Sequence, residues 1–169
     1  FTGNYAGSSG GAIYNGGITG NIKGTFTGNY ATKNGGAIYN QGEIGDISGE
    51  FSNNSVTDSE GSIIYNSGTI KNIKADFVNN IGGAISNGIG GTINNISGKF
   101  TGNHSKNMAV ISSSGSINDI TADFINNYVD GTSYAGVYAL GGAINNVSGT
   151  IGNITGNFTG NYTNISGGG

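Results

Sequence analysis

The chain has 169 residues, enough for one ordinary domain, but it contains 35 Gly and no Pro, Cys or Trp, and only 9% of its residues are charged. The absence of Cys excludes a disulfide framework and a thiolate site, and a net charge of −3 without a basic cluster gives no footprint for nucleic acid. No apolar run reaches the length of about eighteen residues that a membrane-spanning helix needs, so none is expected.

The first predicted element starts at Phe1, in a Phe-x-x-Asn motif that recurs through the chain. Successive Phe residues of this motif lie 25, 25, 26, 23, 24 and 34 positions apart, and each is taken here to begin a coil, numbered 1 to 7. We expect these side chains to form an aromatic ladder: Phe1, Phe26, Phe51, Phe77, Phe100, Phe124 and Phe158. The Asn residues that close the motif should stack at a corner whose left-handed backbone Asn tolerates: Asn4, Asn29, Asn54, Asn80, Asn103, Asn127 and Asn161.

The second predicted element is the strand Gly-Gly-Ala-Ile-Tyr-Asn at residues 10–15. Its period of two predicts that Ile13 and Asn15 face inward with Gly11, and that Ala12 and Tyr14 face outward. Related segments follow at 35–40, 61–66, 82–87, 108–113 and 141–146. The outward position predicts a stack of exposed tyrosines on three successive coils: Tyr14, Tyr39 and Tyr65.

The third predicted element leads back to the next Phe and carries an Ile-x-x-Ile pair, as in GEIGDISGEF at residues 42–51. We expect the two Ile residues to flank a tight corner. Equivalent segments lie at 16–26, 68–77, 91–100, 115–124 and 149–158, the first with one extra residue. Each coil of about 25 residues should therefore hold three strands joined by three corners, and the period of two excludes helices.

One such coil cannot bury its apolar side alone, whereas stacked coils about 4.8 Å apart can. The predicted fold is all-β, a right-handed parallel β-helix, with residues 1–169 forming a single solenoid segment of about six coils. The right hand follows the rule for parallel crossovers. The segment 158–169 resembles the start of the chain and has no polar cap, so we expect flanking coils of a longer repeat protein or end-to-end stacking of copies.

A corner of variable length follows each ladder Asn. It is one residue, Ile81, in coil 4 and thirteen residues, 128–140, in coil 6. We expect this excursion to leave the coil intact and to offer a contact surface, since loops often carry function; the alternative is an added strand at 137–140. The candidate contact residues of the excursion are Tyr128, Tyr134 and Tyr138.

No catalytic residue, cofactor or metal site is predicted. His104 is the only histidine, and a solvated role in a corner is the simplest interpretation. The outward column beside the Phe ladder includes Glu50, Asp76, Lys99 and Asp123. It is either a solvated charge column or the carboxylate set of a carbohydrate-active β-helix enzyme. An ice-binding surface is a weaker alternative. Such a surface would need a regular Thr array, and the column that contains Thr here lies next to this charged column, whose charges interrupt the apolar surface.

The alternating Gly-Gly-Ala-Ile and Phe-x-x-Asn repeats resemble those of polymorphic outer membrane proteins of the chlamydial type, and they cover nearly the whole chain. The sequence MAVI at 108–111 departs from the pattern, and the Cys residues often seen in that family are absent. The resemblance implies a β-helical, autotransporter-like passenger at the outer membrane or cell surface that acts in adhesion. The expected partners are a host or neighbouring cell surface, a glycan or copies of the chain itself.

Overall fold

The computed structural model describes residues 1–58, 61–131 and 141–164, and these residues form twenty strands and no helix. In chain order the strands are β1 (Tyr5–Ala6), β2 (Ile13–Asn15), β3 (Ile18–Thr19), β4 (Ile22–Thr27), β5 (Tyr30–Ala31), β6 (Ile38–Asn40), β7 (Glu43–Ser52), β8 (Ser55–Val56), β9 (Ser62–Asn66), β10 (Thr69–Val78), β11 (Gly83–Asn87), β12 (Thr92–Thr101), β13 (His104–Ser105), β14 (Ile111–Ser113), β15 (Ser116–Ile125), β16 (Tyr128–Val129), β17 (Ile144–Asn146), β18 (Thr150–Thr155), β19 (Phe158–Thr159) and β20 (Tyr162–Thr163).

The strands stack into three faces, and every pair is parallel and joins neighbouring coils. The long-strand sheet contains β3, β4, β7, β10, β12, β15, β18 and β19. The Gly-Ala-Ile sheet has six strands, one from each of six coils, in the order β17-β14-β11-β9-β6-β2. Two-residue strands build the short-strand face, which continues through coil 4 by isolated bridges from Ile81 to Ser55 and His104. The predicted parallel β-solenoid is confirmed, while its handedness stays a prediction.

The Phe ladder forms as predicted and lies at the centre of the core. Phe26, Phe51 and Phe77 are paired in register, and the same register continues through Phe100 and Phe124. These five rings are fully buried. Neighbouring ring centroids along the whole ladder are 4.4 to 4.9 Å apart, close to the spacing of the coils themselves. Stacking the repeats therefore converts one Phe per coil into a continuous apolar column.

The predicted Asn ladder also forms, and its bonds run in one direction. The side-chain amide of Asn54 donates to Asn80 Oδ1 at 3.0 Å and to the carbonyl of Phe26 at 2.8 Å, and the backbone N–H of Asn54 donates to the same Oδ1. The same three bonds are made by Asn29, Asn80, Asn103 and Asn127. The fully or almost fully buried members are Asn29, Asn54, Asn80, Asn103 and Asn127. Every polar atom of these buried amides is thereby satisfied.

The expected left-handed backbone of this corner forms, and it lies at the residue before each ladder Asn. Gly28 has φ 63°, Asn53 has φ 54° and Asn79 has φ 52°. The same position is held by Gly3, Gly102, Asn126 and Gly160, all with positive φ. The corner turns at this residue, which leaves the ladder Asn in a conformation that aims its side chain into the stack.

The Ala of the Gly-Gly-Ala-Ile segment was expected to face outward, and this is wrong. Ala37 is fully buried beside Ile38, and the equivalent residues are also in the core: Ile63, Ala84, Val110 and Ala143. The chain bends as it enters the strand, because the backbone N–H groups of Ala12 and Ile13 both donate to the Ala37 carbonyl. Two successive side chains therefore face inward before the alternation begins.

The Ile-x-x-Ile corner lies inside a continuous strand. Ile44 and Ile47 are both buried although they are three residues apart in β7, so the strand bends between them. The residue pairs that join β7 to β10 leave out Gly45 and Lys71, and this gap in the pairing marks the bend. In coil 1 the extra residue divides this element into β3 and β4.

A second Asn ladder runs along the Gly-Ala-Ile sheet, where the sequence predicted only that Asn15 faces inward. The amide of Asn15 donates to Asn40 Oδ1 at 2.8 Å, Asn40 donates to Asn66 at 2.7 Å, and Asn66 donates to Asn87 at 2.8 Å. The amide of Asn40 also binds the carbonyl of Gly42, the second residue of the corner that follows. This ladder fixes where each coil leaves the sheet.

Candidate contact surfaces

The predicted outward tyrosine stack forms on the first three coils. Ring centroids are 5.2 Å apart for Tyr14 and Tyr39 and 4.9 Å apart for Tyr39 and Tyr65. The Tyr14 hydroxyl donates to Gln41 Oε1 at 2.6 Å, which ties the edge of the stack to the next corner. Burial, followed by the neighbouring phenols of Tyr65 and Tyr14, raises the pKa of Tyr39 above its usual range.

This stack exposes the edges of its rings rather than their faces. Both faces of Tyr39 are covered, by Tyr14 on one side and Tyr65 on the other. A sugar ring usually packs on an aromatic face, so the interior of the stack offers no such platform. Beyond Tyr65 the same column holds Ser86 and Ser112, which are 9% and 5% exposed.

The residues that directly follow the ladder Asn residues form a second aromatic column, which was not predicted from the sequence. Tyr5 stacks on Tyr30 at 5.3 Å, and Tyr128 stacks on Tyr162 at 5.3 Å. Ser55 and Ile81 interrupt the column in coils 3 and 4. Aligning the seven segments on their ladder Asn would have revealed the column, because Tyr follows that Asn in four of them.

His104 belongs to this column and has a specific partner. Its Nε2 lies 2.8 Å from Asp130 Oδ1, and its ring packs on Tyr128 at 5.1 Å. Both side chains of the pair are partly exposed, at 43% and 33%. The prediction of a solvated corner histidine is therefore incomplete: His104 joins coils 5 and 6 at the point where the long corner begins.

The excursion of coil 6 starts later than the sequence indicated. Tyr128 and Val129 form β16 and pair with β13 and β20, so they belong to the coil. Val129 is fully buried, while Tyr128 is 36% exposed at the surface of the aromatic column. The other two candidate residues, Tyr134 and Tyr138, lie outside the described residues.

The carboxylate column forms in the predicted register. Asp76 lies beside Glu50, and Lys99 lies beside Asp123. The Asp76 carboxylate accepts a hydrogen bond from the backbone N–H of Lys99 at 2.8 Å, and Asp123 accepts the backbone and side-chain N–H groups of Asn157. These carboxylates stand on an exposed sheet face and hold neighbouring coils together.

An Asn/Asp column runs beside it on the long-strand sheet. The Asn72 amide donates to Asp46 Oδ1 at 2.8 Å, and Lys74 Nζ lies 3.0 Å from Asp46 Oδ2. The hydrogen bond from Asn72, followed by that from Lys74, holds the pKa of Asp46 below its usual value. The column thus crosslinks the coils through charged and amide groups on their outer side.

A notch of about 200 Å³ lies where the short corner of coil 4 sits between longer ones. Ile81 and Val56 form its apolar part, and Asp58 and Lys106 from the adjoining corners lie on its rim. The notch is therefore partly apolar, and its rim carries a negative charge on one side and a positive charge on the other.

Within residues 1–58, 61–131 and 141–164 no cluster of three or more His, Asp or Glu side chains has the arrangement of a metal site. The same residues contain no helix that is long and apolar enough to cross a membrane.

Comparison with known proteins gives one family match. The chain matches no curated protein and no solved structure. Two segments, residues 1–16 and 23–41, match the sequence profile of the Chlamydia polymorphic membrane protein (Chlamydia_PMP) repeat. They contain the first two Phe-x-x-Asn and the first two Gly-Gly-Ala-Ile motifs of the chain. These two segments are therefore similar to the Chlamydia polymorphic membrane protein repeat, which confirms the resemblance predicted from the sequence.

Proposed function

We propose that the protein is a surface-displayed or extracellular adhesive element, a stiff β-helical rod that presents corner loops to another cell, a glycan or a second copy. The observation that carries the proposal is the combination of fixed ladders with a corner whose length varies widely from coil to coil. The segment between the ladder Asn and the next Gly-Ala-Ile strand ranges from Ile81 alone to the thirteen residues 128–140. The polymorphic membrane protein repeat in residues 1–16 and 23–41 supports a place at the outer membrane or cell surface.

Stiffness follows from the number of parallel ladders. Each coil is tied to the next by the Phe stack and the first Asn ladder, and coils 1 to 4 are also joined by the second Asn ladder. The outer Asn/Asp column adds bonds such as that from Asn72 to Asp46. A rod built in this way changes little when a corner is lengthened, because a repeat contacts only its neighbours. Length variation at the corner can therefore change a binding surface without changing the scaffold.

The test is adhesion of protein-coated beads to cultured epithelial cells. In a trimmed variant, Lys-Asn replaces residues 130–140, so that the corner reads Tyr-Val-Lys-Asn and has the length of the natural corner at 104–107. We expect the wild type to adhere and the trimmed variant to adhere several-fold less. Unchanged adhesion of the trimmed variant excludes that corner as the contact, and a wild type that adheres no better than albumin-coated beads contradicts the proposed function.

We propose further that the carboxylate column is structural rather than catalytic. Its support is the register of Asp76 with Glu50 on an open face, together with the backbone N–H groups that donate to the carboxylates of Asp76 and Asp123. A carbohydrate-active enzyme is the competing function. Cleavage of an acidic polysaccharide by the wild type, abolished by Glu50→Gln with Asp76→Asn, would establish that alternative.

A further inference from the structure

A shallow trough lies on the long-strand side of coils 4 to 6, and unequal corner lengths create it. Between the Gly-Ala-Ile sheet and the long-strand sheet, coils 1, 2, 3 and 5 have a two-residue corner, such as Ser114–Gly115 in coil 5. Coil 4 has the four residues 88–91 there, and coil 6 has the three residues 147–149. The short corner of coil 5 is therefore recessed between two longer ones.

Two adjoining depressions make up this trough. One has a volume of about 230 Å³ and lies over the corners, and the other has a volume of about 320 Å³ and lies over the start of the strands. They share the hydroxyl-bearing residues Thr92, Ser116 and Thr150, one from each coil. The larger depression reaches the lower end of the range of about 300–1,000 Å³ that is usual for small-ligand sites.

The lining is uncharged and rich in groups that both donate and accept hydrogen bonds. Besides the three hydroxyl side chains, the amides of Asn94 and Asn118 line the larger depression. Within the part of the chain that the structure describes, the Asn94 amide makes no hydrogen bond, so its donors and acceptor are open to a ligand. No charged side chain lines either depression, although the Asn118 amide donates to Asp119 Oδ2 at 3.1 Å beside it.

Two exposed aliphatic side chains stand at the longer corners. Ile89 is 85% exposed in coil 4, and Val147 is 54% exposed in coil 6, each next to a residue that lines the trough. An uncharged site with apolar groups at its margin suits a ligand that has hydroxyl groups and apolar C–H faces. The trough also lies on a sheet face whose strands are already paired on both sides in coil 5, so a peptide cannot add to it as an edge strand.

Backbone and side-chain hydrogen bonds between neighbouring coils hold the floor of the trough in place. Backbone bonds fix its floor, from Ser116 N–H to the Gly91 carbonyl at 2.9 Å and from Thr150 N–H to the Gly115 carbonyl at 2.9 Å. The Thr150 hydroxyl donates to Ser116 Oγ at 3.1 Å. Hydroxyls recur about every 4.8 Å along this column, so successive rings of an extended sugar chain can each contact one coil. A site already ordered in this way loses little entropy on binding.

We infer that this trough binds an uncharged, extended oligosaccharide lying along the solenoid axis, with one sugar ring over each of coils 4, 5 and 6. The inference rests on the proposed adhesive function and names the chemistry of one of its ligands. The hydroxyls of Thr92, Ser116 and Thr150 and the amides of Asn94 and Asn118 hold the sugar hydroxyls. Ile89 and Val147 pack against the C–H faces of the outer rings.

The experiment is isothermal titration calorimetry of the full chain with three neutral tetrasaccharides (cellotetraose, chitotetraose and lacto-N-neotetraose) and with anionic tetragalacturonate. Deletion of residues 89 and 90 gives coil 4 the corner Gly-Gly found in coil 1, where Asn15 binds the Gly17 carbonyl as Asn87 binds that of Gly91. This deletion removes one wall of the trough and keeps the fold. The second variant, Asn94→Asp, adds a charge without changing the size of the side chain.

We expect at least one neutral tetrasaccharide to bind the wild type, and binding to fall by about tenfold or more in both trough variants. The controls are Asn21→Asp, the same chemical change at a residue of coil 1 whose Oδ1 accepts the backbone N–H of Asp46, and the variant trimmed at 130–140; both should bind like the wild type. No neutral binding, binding of tetragalacturonate alone, or binding unchanged in both trough variants overturns the inference. Cell adhesion without sugar binding would contradict this inference and leave the proposed function standing. Sugar binding without cell adhesion would support this inference and contradict the proposed function.

Discussion

At the corner after each Phe, the backbone of a single residue limits which amino acids the repeat accepts. All seven residues at this position are Gly or Asn, and all seven have positive φ, from Gly3 at 63° to Asn126 at 51°. Most L-residues avoid this region because the Cβ atom approaches the following carbonyl oxygen, whereas Gly has no Cβ and Asn tolerates the strain. The motif is therefore more restrictive than Phe-x-x-Asn: its third position is Gly or Asn.

This restriction predicts opposite outcomes for two substitutions of the exposed Asn79, whose φ is 52°. Asn79→Gly should leave the free energy of unfolding within about 0.5 kcal/mol of the wild type, and Asn79→Ala should lower it by about 1 kcal/mol. Urea unfolding followed by circular dichroism measures both. Equal midpoints for the Ala and Gly variants would show that the corner does not depend on this conformation.

The buried Asn ladder predicts a pH-dependent defect. Asn80 is fully buried, and its amide donates to the Phe51 carbonyl and to Asn103 Oδ1. In Asn80→Asp an ionised carboxylate would face those two acceptors, so we expect a loss of about 3–5 kcal/mol at neutral pH. Burial and the missing donors should raise the pKa of the new carboxyl above about 3.9, its value in the unfolded chain.

The raised pKa determines how the stability of Asn80→Asp changes with pH. The protonated carboxyl can donate again, so the stability of Asn80→Asp is highest below about pH 4 and falls as the pH rises through the raised value. Urea midpoints at pH 4 and pH 7 should differ more in this variant than in Asn53→Asp, which changes an exposed residue of the preceding coil. Similar pH dependence in the two variants would contradict the ladder argument.

At the scale of the strands, the three elements of each coil could be predicted from the sequence, but their bends could not. Alternation with period two identifies Ile47 and Phe51 as inward-facing, and the structure confirms both as buried. The alternation changes phase at Ile44 and at Ala37, where the chain bends while its hydrogen bonds continue. A pattern of apolar residues records which side chains are buried, and it does not record whether a bend or a break brings two of them inward.

The contact surfaces divide in the same way. The stack of Tyr14, Tyr39 and Tyr65 could be predicted because one motif supplies all three residues. The pairing of His104 with Asp130 could not, because the two residues are 26 positions apart in corners of different length. The trough over coils 4 to 6 also needed the structure, since it arises from what neighbouring corners leave uncovered.

The two tyrosine columns predict opposite responses to alkaline pH. The raised pKa of Tyr39 favours its neutral form in the folded state, so its contribution to stability is present below pH 10 and is lost as the pH rises through the raised value. Hydrogen bonds with Thr57 and then Thr32 lower the pKa of Tyr30, so the contribution of Tyr30 to the stability of the folded state grows as the pH rises. Tyr39→Phe should therefore make thermal stability less sensitive between about pH 9 and 11, and Tyr30→Phe should make it more sensitive.

Thermal unfolding at several alkaline pH values measures this difference, with a double Tyr30→Phe, Tyr39→Phe variant as the control. The double variant should return toward the wild-type slope. If both single variants changed the slope in the same direction, the two columns would not differ in the way their contacts indicate.

At the scale of the whole molecule, the ladders make stability depend on the position of a coil in the stack. A buried Phe has a stacked partner on each side, as Phe77 has Phe51 and Phe100, whereas Phe1, within the part of the chain that the structure describes, stacks on Phe26 and is 51% exposed. In a linear array each coil is stabilised by its own contacts and by those with its nearest neighbours. Removing a central ring therefore weakens two interfaces and removing the first ring weakens one.

Phe77→Ala should lower the free energy of unfolding by about 3–5 kcal/mol, since it deletes a fully buried ring and leaves a cavity between two others. Phe1→Ala should lower the free energy of unfolding clearly less, because half of that ring is already exposed to solvent.

Hydrogen exchange measured by mass spectrometry shows where in the stack the stability is lost. In Phe77→Ala the loss of protection should centre on β7, β10 and β12 and decline toward both ends, because no coil beyond its neighbours contacts the substituted ring. A uniform loss across all coils would show instead that the solenoid unfolds as one cooperative unit, and then the cost of a substitution could not be assigned to its own interfaces.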